Sequence, residues 1–301
     1  MHAKLKIIVS MVAFGTISIF VRNISLSSGE IALFRAIVAA MVILIYKGLT
    51  GNKLPLSGMK KDLPILFISG VAMGFNWILL FEAYKYTSVS IATLSYYFAP
   101  VIVMVLSPIL FKEKLTIKQV VCFFMSTIGL IMIIGIGGID RSSANLIGIV
   151  FGLGAAVLYA SVVLLNKFVK NVSGIDKTLI QFFAAIIVLI PYVLTTSGIN
   201  IGSLDLVGIA NLLILGSIHT GVCYCLYFSS LKDLKGQEVS ILSYIDPLVA
   251  IIISVAILGE PISLLQLIGG MMILGFTLLN EIEIKINIKK LLTKYFIQLK
   301  Y

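Results

Sequence analysis

Apolar residues run through this chain in long blocks that are too continuous for a half-buried strand and too uniform for a one-sided helix. Val120 to Ile134, for example, is apolar on every helical face. Ten such blocks can be marked, near 5–21, 30–46, 63–84, 88–110, 117–138, 147–168, 177–197, 206–231, 238–258 and 263–280. Each comes close to the roughly 20 residues a helix needs to cross a hydrocarbon layer about 30 Å thick. Strands of a membrane barrel alternate apolar and polar positions, and these blocks do not. The pattern predicts an all-α membrane protein of ten transmembrane helices.

Composition supports a lipid environment, with 59% hydrophobic residues, 12% charged residues and a mean hydropathy of +1.11; a water-soluble domain is excluded. The first block follows Lys4 and Lys6 with no small-residue cleavage pattern after it, so it reads as a retained helix rather than a signal peptide. The net charge of +10 does not indicate nucleic acid, because the basic residues sit in alternate connectors and form no aromatic-interleaved stripe. With the N-terminus inside, 19 of the 23 Lys and Arg fall on the cytoplasmic side. Arg22, Lys85 and Arg141 fall outside, and Arg35 lies within the second helix. This bias predicts a multi-pass inner-membrane protein with both termini cytoplasmic. Cys122, Cys223 and Cys225 all lie inside apolar blocks, which indicates neither a disulfide framework nor a metal site.

Sliding the chain against itself by 147 residues aligns 74–119 with 221–266 without a gap, and 9 of the 46 positions match. Among the matches are Tyr97 with Tyr244, Pro100 with Pro247, Glu113 with Glu260 and Gln119 with Gln266. The chain therefore divides into 1–143 and 144–281, five helices each, followed by a basic tail at 282–301. An odd number of helices per half makes the repeat inverted, an arrangement suited to alternating access.

The motif-bearing stretch runs from Ala83-Tyr84-Lys85-Tyr86-Thr87-Ser88 through Ala99-Pro100 to Lys112-Glu113-Lys114-Leu115. It is echoed by Tyr244-Ile245-Asp246-Pro247 and Leu258-Gly259-Glu260-Pro261. On these residues the chain resembles the EamA-type branch of the drug/metabolite transporter superfamily. The resemblance implies two intertwined five-helix halves around a central cavity. That family moves amino acids, nucleosides, quaternary amines and other metabolites, so the resemblance does not carry a substrate with it.

Ionisable groups at membrane depth are costly and mark candidate sites. Counted at about 1.5 Å per residue, His219 lies about 20 Å into the eighth helix and Asp246 about 12 Å into the ninth. The 147-residue offset pairs them with Ala72 and Ala99. Asp246 is expected to be a proton-coupling or amine-binding carboxylate and His219 its partner or a substrate donor; the alternative is an interhelical hydrogen bond that only joins two helices. Pro100 and Pro247 are expected to open the fourth and ninth helices, setting Tyr96, Tyr97 and Tyr244 beside the breaks. Trp77, Phe81 and Tyr84 share a helix face, and Tyr224 is the counterpart of Trp77. These aromatics read as packing or as a wall for an aromatic or quaternary ammonium substrate. Arg35, with Gln181 as its counterpart, has three open readings: a clamp on a substrate carboxylate, a side chain reaching the outer headgroups, or a partner of Glu82. Lys85 competes for Glu82 at a spacing of three residues. Glu113 and Glu260 are expected to cap the fifth and tenth helices. The Gly70/Gly74 and Gly148/Gly152 pairs suit close helix packing within one chain or in a homodimer.

These features predict secondary active transport, by export or exchange, of a small polar metabolite such as an amino acid or organic amine. A proton or substrate gradient is the candidate energy source, because no phosphate-binding Gly-rich loop for ATP is present. The expected partners are a small-molecule substrate and membrane lipids, with no cofactor, metal or nucleic acid. The rival readings are a lipid flippase and an intramembrane lipid-modifying protein. The five tail lysines suit an anionic membrane surface or a solvated tail.

Overall fold

The computed structural model describes residues 2–51, 59–112, 116–134, 143–169, 172, 174–230, 233–234 and 242–282, and every regular element among them is helical. The elements are α1 (Ala3–Gly15), α2 (Ile17–Arg22), α3 (Ser28–Thr50), α4 (Leu63–Tyr86), α5 (Val89–Tyr96), α6 (Ala99–Phe111) and α7 (Ile117–Ile134). They continue with α8 (Ser143–Phe168), α9 (Gly174–Thr196), α10 (Leu206–Ile214), α11 (Cys223–Ser230), α12 (Ile245–Ile252) and α13 (Leu264–Glu281). A π-helical stretch, Leu215–Val222, joins α10 to α11, and another, Ile253–Ile257, extends α12.

Seven helical units are long and apolar enough to span a bilayer: Ala3–Arg22, Ser28–Thr50, Leu63–Tyr86, Val89–Phe111, Ser143–Phe168, Gly174–Thr196 and Leu206–Ser230. Three further apolar helices, Ile117–Ile133, Ile245–Ile257 and Leu264–Asn280, are shorter. All ten expected blocks thus contain helix. The blocks at 117–138 and 238–258 each extend partly outside the described residues, as do Glu113 and the tail beyond Ile282.

Local chemistry sets the helix starts. At α3, the Ser27 hydroxyl accepts from the Glu30 amide while the Glu30 carboxylate accepts from the Ser27 amide, a reciprocal box that satisfies two orphan donors. Ser263 and Gln266 form the same box at α13, and Thr116 and Gln119 form it at α7. The 147-residue offset pairs these residues, so the Gln119/Gln266 match in the sequence marks a shared cap. This corrects the expected role of Glu260, whose carboxylate serves a different helix: it accepts from the Val89 amide at the start of α5, at 2.8 Å.

Successive apolar helices alternate in direction, as the contacts at their ends show. At one end, Glu260 pairs with Arg22 and accepts from Ser254 at 2.5 Å, and Arg22 donates to the Tyr84 carbonyl at 3.2 Å. At the same end, Glu30 accepts from the Asn200 amide at 2.5 Å, joining α3 to the segment after α9. At the other end, Lys47 of α3 pairs with Asp176 of α9 at 2.5 Å. α3 and α9 are therefore fastened at both ends. Between these fastenings lies the main core, which includes Ile31, Leu33, Phe81, Phe182 and Leu189.

Small residues allow the closest helix approaches, and they pack within the chain. Gly70 lies against Gln181 and Ala184 of α9, and Gly148 lies against Thr87. α7 and α13 touch backbone to backbone, where a side chain added at Gly129 would meet the Gly269 carbonyl at 2.6 Å. Gly129→Leu is expected to cost about 1–3 kcal/mol by overpacking, read as a lower melting temperature in detergent. An unchanged melting temperature would show that these helices are not joined at that glycine.

Candidate functional site

Proline opens the helix between α5 and α6. Pro100 has no amide proton to donate to Tyr96, four residues earlier, and its ring crowds that carbonyl. α5 ends at Tyr96, Tyr97 and Phe98 turn, and α6 resumes with Pro100 as its second residue. The same chemistry acts before α12, where Tyr244 forms a turn and Pro247 sits in the first helical turn. Both expected breaks are thus present, and the tyrosines at both line one cavity of about 460 Å³. That volume suits a small molecule.

The two breaks meet at a hydrogen bond. The Tyr97 hydroxyl donates to Asp246 Oδ2 at 2.6 Å, joining the end of α5 to the first turn of α12. A carboxylate in a first turn also faces the positive end of the helix dipole. Beside it, the Tyr96 ring packs edge-on to Tyr97 at 5.8 Å and against Tyr159 at 5.4 Å.

Arg35 enters the same cavity from α3 and is 3% exposed. Its Nε donates to Thr220 Oγ1 at 2.6 Å, and its guanidinium carbon lies 4.6 Å from the centre of the Trp77 ring. A cation at membrane depth costs about 3 kcal/mol on insertion scales. The desolvated aromatic contact returns about 1–2 kcal/mol and the hydrogen bond about 1 kcal/mol, so Arg35 is tolerated with no counter-ion among the described residues. Two of its three open readings are thereby corrected. It does not reach a helix end, and Glu82 pairs instead with Lys85 at 2.9 Å.

Trp77 and Tyr224 line the cavity together, and both pack on Phe182, at 5.7 and 5.6 Å. The wall also holds amide side chains, of which the sequence pattern pointed only to Gln181, as the counterpart of Arg35. Gln181 donates to Ser69 at 2.7 Å and to Asn166 at 2.9 Å, and Asn76 donates to the Ala155 carbonyl at 2.6 Å. Their sequence signal was an amide side chain inside an otherwise apolar helix.

Two expected site residues stand apart from the cavity wall. His219 is turned away: its Nε2 lies 3.0 Å from Thr16 Oγ1 at the break between α1 and α2, its Nδ1 lies 3.3 Å from the Ile214 carbonyl, and its ring packs on Phe20. It is no partner of Asp246. Its position follows from the π-helical stretch, in which the adjacent Thr220 takes the inward-facing place. Pro247 is buried behind the wall, where it sets the backbone and contributes no surface. Among the described residues, no group of three or more His, Cys, Asp or Glu side chains is arranged to hold a metal ion.

The profile of the EamA-like transporter family matches residues 3–135 and again 146–281. The chain belongs to the EamA-like transporter family. It is 32% identical to the uncharacterized transporter YxxF of Bacillus subtilis, over 90% of this chain and 86% of that protein. It is 30% identical to an uncharacterized transporter of Archaeoglobus fulgidus, over 92% and 96% of the two chains. Protein PecM of Dickeya dadantii is 27% identical, over 79% and 77%. A solved crystal structure with 15% identity superposes with a TM-score of 0.64, covering 91% of this chain and 95% of the other, and shares the fold. This EamA-like protein is a multi-pass membrane transporter, and its cavity is walled by α3, α4, α5, α8, α9, α11 and α12, together with residues of α1, α2 and the start of α6.

The location of His219 gives a direct test. His219→Ala is expected to lower stability by about 1–3 kcal/mol, through the lost hydrogen bond to Thr16 and lost packing on Phe20. It should leave the thermal shift produced by a cavity-bound ligand unchanged. Loss of the ligand response with retained stability would return His219 to the site.

Proposed function

We propose that this EamA-like protein is a secondary active transporter that exports or exchanges a small polar metabolite, such as an amino acid or an organic amine. The observation that carries the reading is the Tyr97–Asp246 hydrogen bond across two proline-opened helices, inside a cavity of about 460 Å³. Irregular backbone at membrane depth is tolerated where it lines a cavity, and the half-helix ends there offer polar groups to a solute. Asp246 is the coupling group: it exchanges a proton or holds the cargo's ammonium, with Tyr97 orienting it.

In this reading the ten apolar helices span the cell membrane as two inverted five-helix halves, with both termini cytoplasmic. Three features support the repeat: the family profile matches twice, the breaks at Tyr97 and Tyr244 correspond, and the capping boxes of α7 and α13 correspond. Access alternates as the ends of the cavity open in turn. Arg22, Glu260, Ser254 and the Val89 amide form the clasp of one end, because they join α2 and α5 to the connector after α12.

Proteoliposomes with an imposed pH gradient, loaded in turn with labelled amino acids and amines, test the coupling. Asp246→Asn is expected to reduce proton-driven transport by at least about tenfold and to flatten its pH dependence. Full activity with an unaltered pH profile would sink the reading. The clasp has its own test. In a cysteine-free background carrying Ile17→Cys, which faces the cavity near that end, Glu260→Gln is expected to speed labelling by a membrane-impermeant maleimide several-fold. Equal labelling rates would remove Glu260 from gating.

A further inference from the structure

Arg35 is buried, yet among the described residues its charge has no counter-ion. Several other charges at membrane depth or at helix ends have partners: Lys47 with Asp176, Arg22 with Glu260, Lys85 with Glu82, Glu30 with the Asn200 amide and Asp246 with Tyr97. Among the described residues, no carboxylate lies within ion-pair distance of Arg35, and only its Nε makes a hydrogen bond. The two terminal nitrogens, which carry four of its five N–H donors, belong to a side chain that lines the cavity.

The surroundings fix the plane of that fork. Thr220 gives its own proton to the Leu215 carbonyl at 2.8 Å, five residues back in the π-helical stretch. The hydroxyl oxygen is then left to accept from Arg35 Nε. Trp77 lies under the guanidinium at 4.6 Å and Phe81 lies near it at 5.7 Å. Clamped through Nε and by the rings, the group presents a planar pair of donors, the geometry that matches the two oxygens of a carboxylate.

We infer that Arg35 is the specificity-determining residue of this cavity, its guanidinium fork receiving a carboxylate of the transported molecule. The inference rests on the reading of the cavity as the transport site. This narrows the cargo proposed above: a molecule bearing only an ammonium can meet Asp246 but leaves the guanidinium unpaired in a low-dielectric chamber, and is refused. A cargo bearing only an acid group meets Arg35, and one bearing both groups meets Arg35 and Asp246. The site therefore selects acid-bearing molecules from among the polar metabolites that would fit the volume.

The test uses the purified full-length protein and matched ligands: phenylalanine, 3-phenylpropionate and phenethylamine, with leucine, 4-methylpentanoate and isopentylamine as the aliphatic set. Thermal shift and calorimetric titration are expected to show binding by acid-bearing members of at least one set and none by the amines. Arg35→Lys keeps the charge and loses the fork, and it should weaken acid-bearing ligands by about ten- to hundredfold. Trp77→Phe, which leaves Arg35 in place, should weaken them less. A purely structural Arg35 would lower the melting temperature without changing the order of acids over amines. Amines binding as tightly as acids, affinities indifferent to Arg35→Lys, or no binding by any member would each overturn the inference. Transport in proteoliposomes separates the two levels. Acid-bearing ligands that bind through Arg35 and are not moved would refute the transport reading alone; Asp246-dependent movement of amines that ignores Arg35 would refute the carboxylate subsite alone.

Discussion

Every backbone donor and acceptor inside a bilayer must find a partner within the protein, and the architecture of this chain follows from that constraint. Continuous helices meet it automatically. A proline does not, because it removes one donor and pushes one carbonyl away. Pro100 and Pro247 therefore have to stand where something other than lipid covers the opened turns, and the tyrosines beside both turns line the cavity. The Tyr97 hydroxyl and the Asp246 carboxylate meet at this point because both flank opened backbone.

The remaining charges follow the same logic at the helix ends. Lys47–Asp176 and Glu30–Asn200 fasten α3 to α9 at opposite ends, and Gly70 brings α4 onto α9 between them. These ties make α3, α4 and α9 the stiff part of the molecule, where the main core also lies. Arg35 and Trp77 project from that stiff part. Asp246 projects from α12, which starts at a break and ends in a π-helical stretch. A cavity with one wall held and the opposite wall interrupted suits a change of access better than a uniformly packed bundle.

Much of this was legible in the sequence, because lipid imposes a composition that few other environments tolerate. Each expected block contains helix, and the breaks at Tyr97 and Tyr244 stand where the prolines indicated. Most of the nominated cavity residues also line the wall: Arg35, Trp77, Tyr96, Tyr97, Pro100, Tyr224, Tyr244 and Asp246. What could not be read was rotation about a helix axis. His219 and Thr220 are neighbours, and only the widened π-helical turn decides which of them faces Arg35. Glu260 misled for a related reason. Its short distance from α13 suggested a cap there, but Ser263 and Gln266 already fill that role, leaving the carboxylate to reach across to α5. Sequence proximity is a poor guide to hydrogen bonding when a nearer residue satisfies the same donors.

The positions paired by the 147-residue offset separate scaffold from chemistry. Where the pairing concerns backbone, both members keep the same residue type: Pro100 and Pro247, Tyr97 and Tyr244, Gln119 and Gln266. At the charged positions of the cavity wall the two halves differ. Ala99 and Asp246 line the cavity, as do Arg35 and Gln181, which lies one residue short of that offset, with one charged member in each pair. A strictly symmetric cavity would set two carboxylates or two guanidiniums in one low-dielectric space, where like charges repel strongly. Confining one acid to α12 and one base to α3 avoids that repulsion and gives the cavity a polar direction. A chamber of that polarity can orient a bound solute.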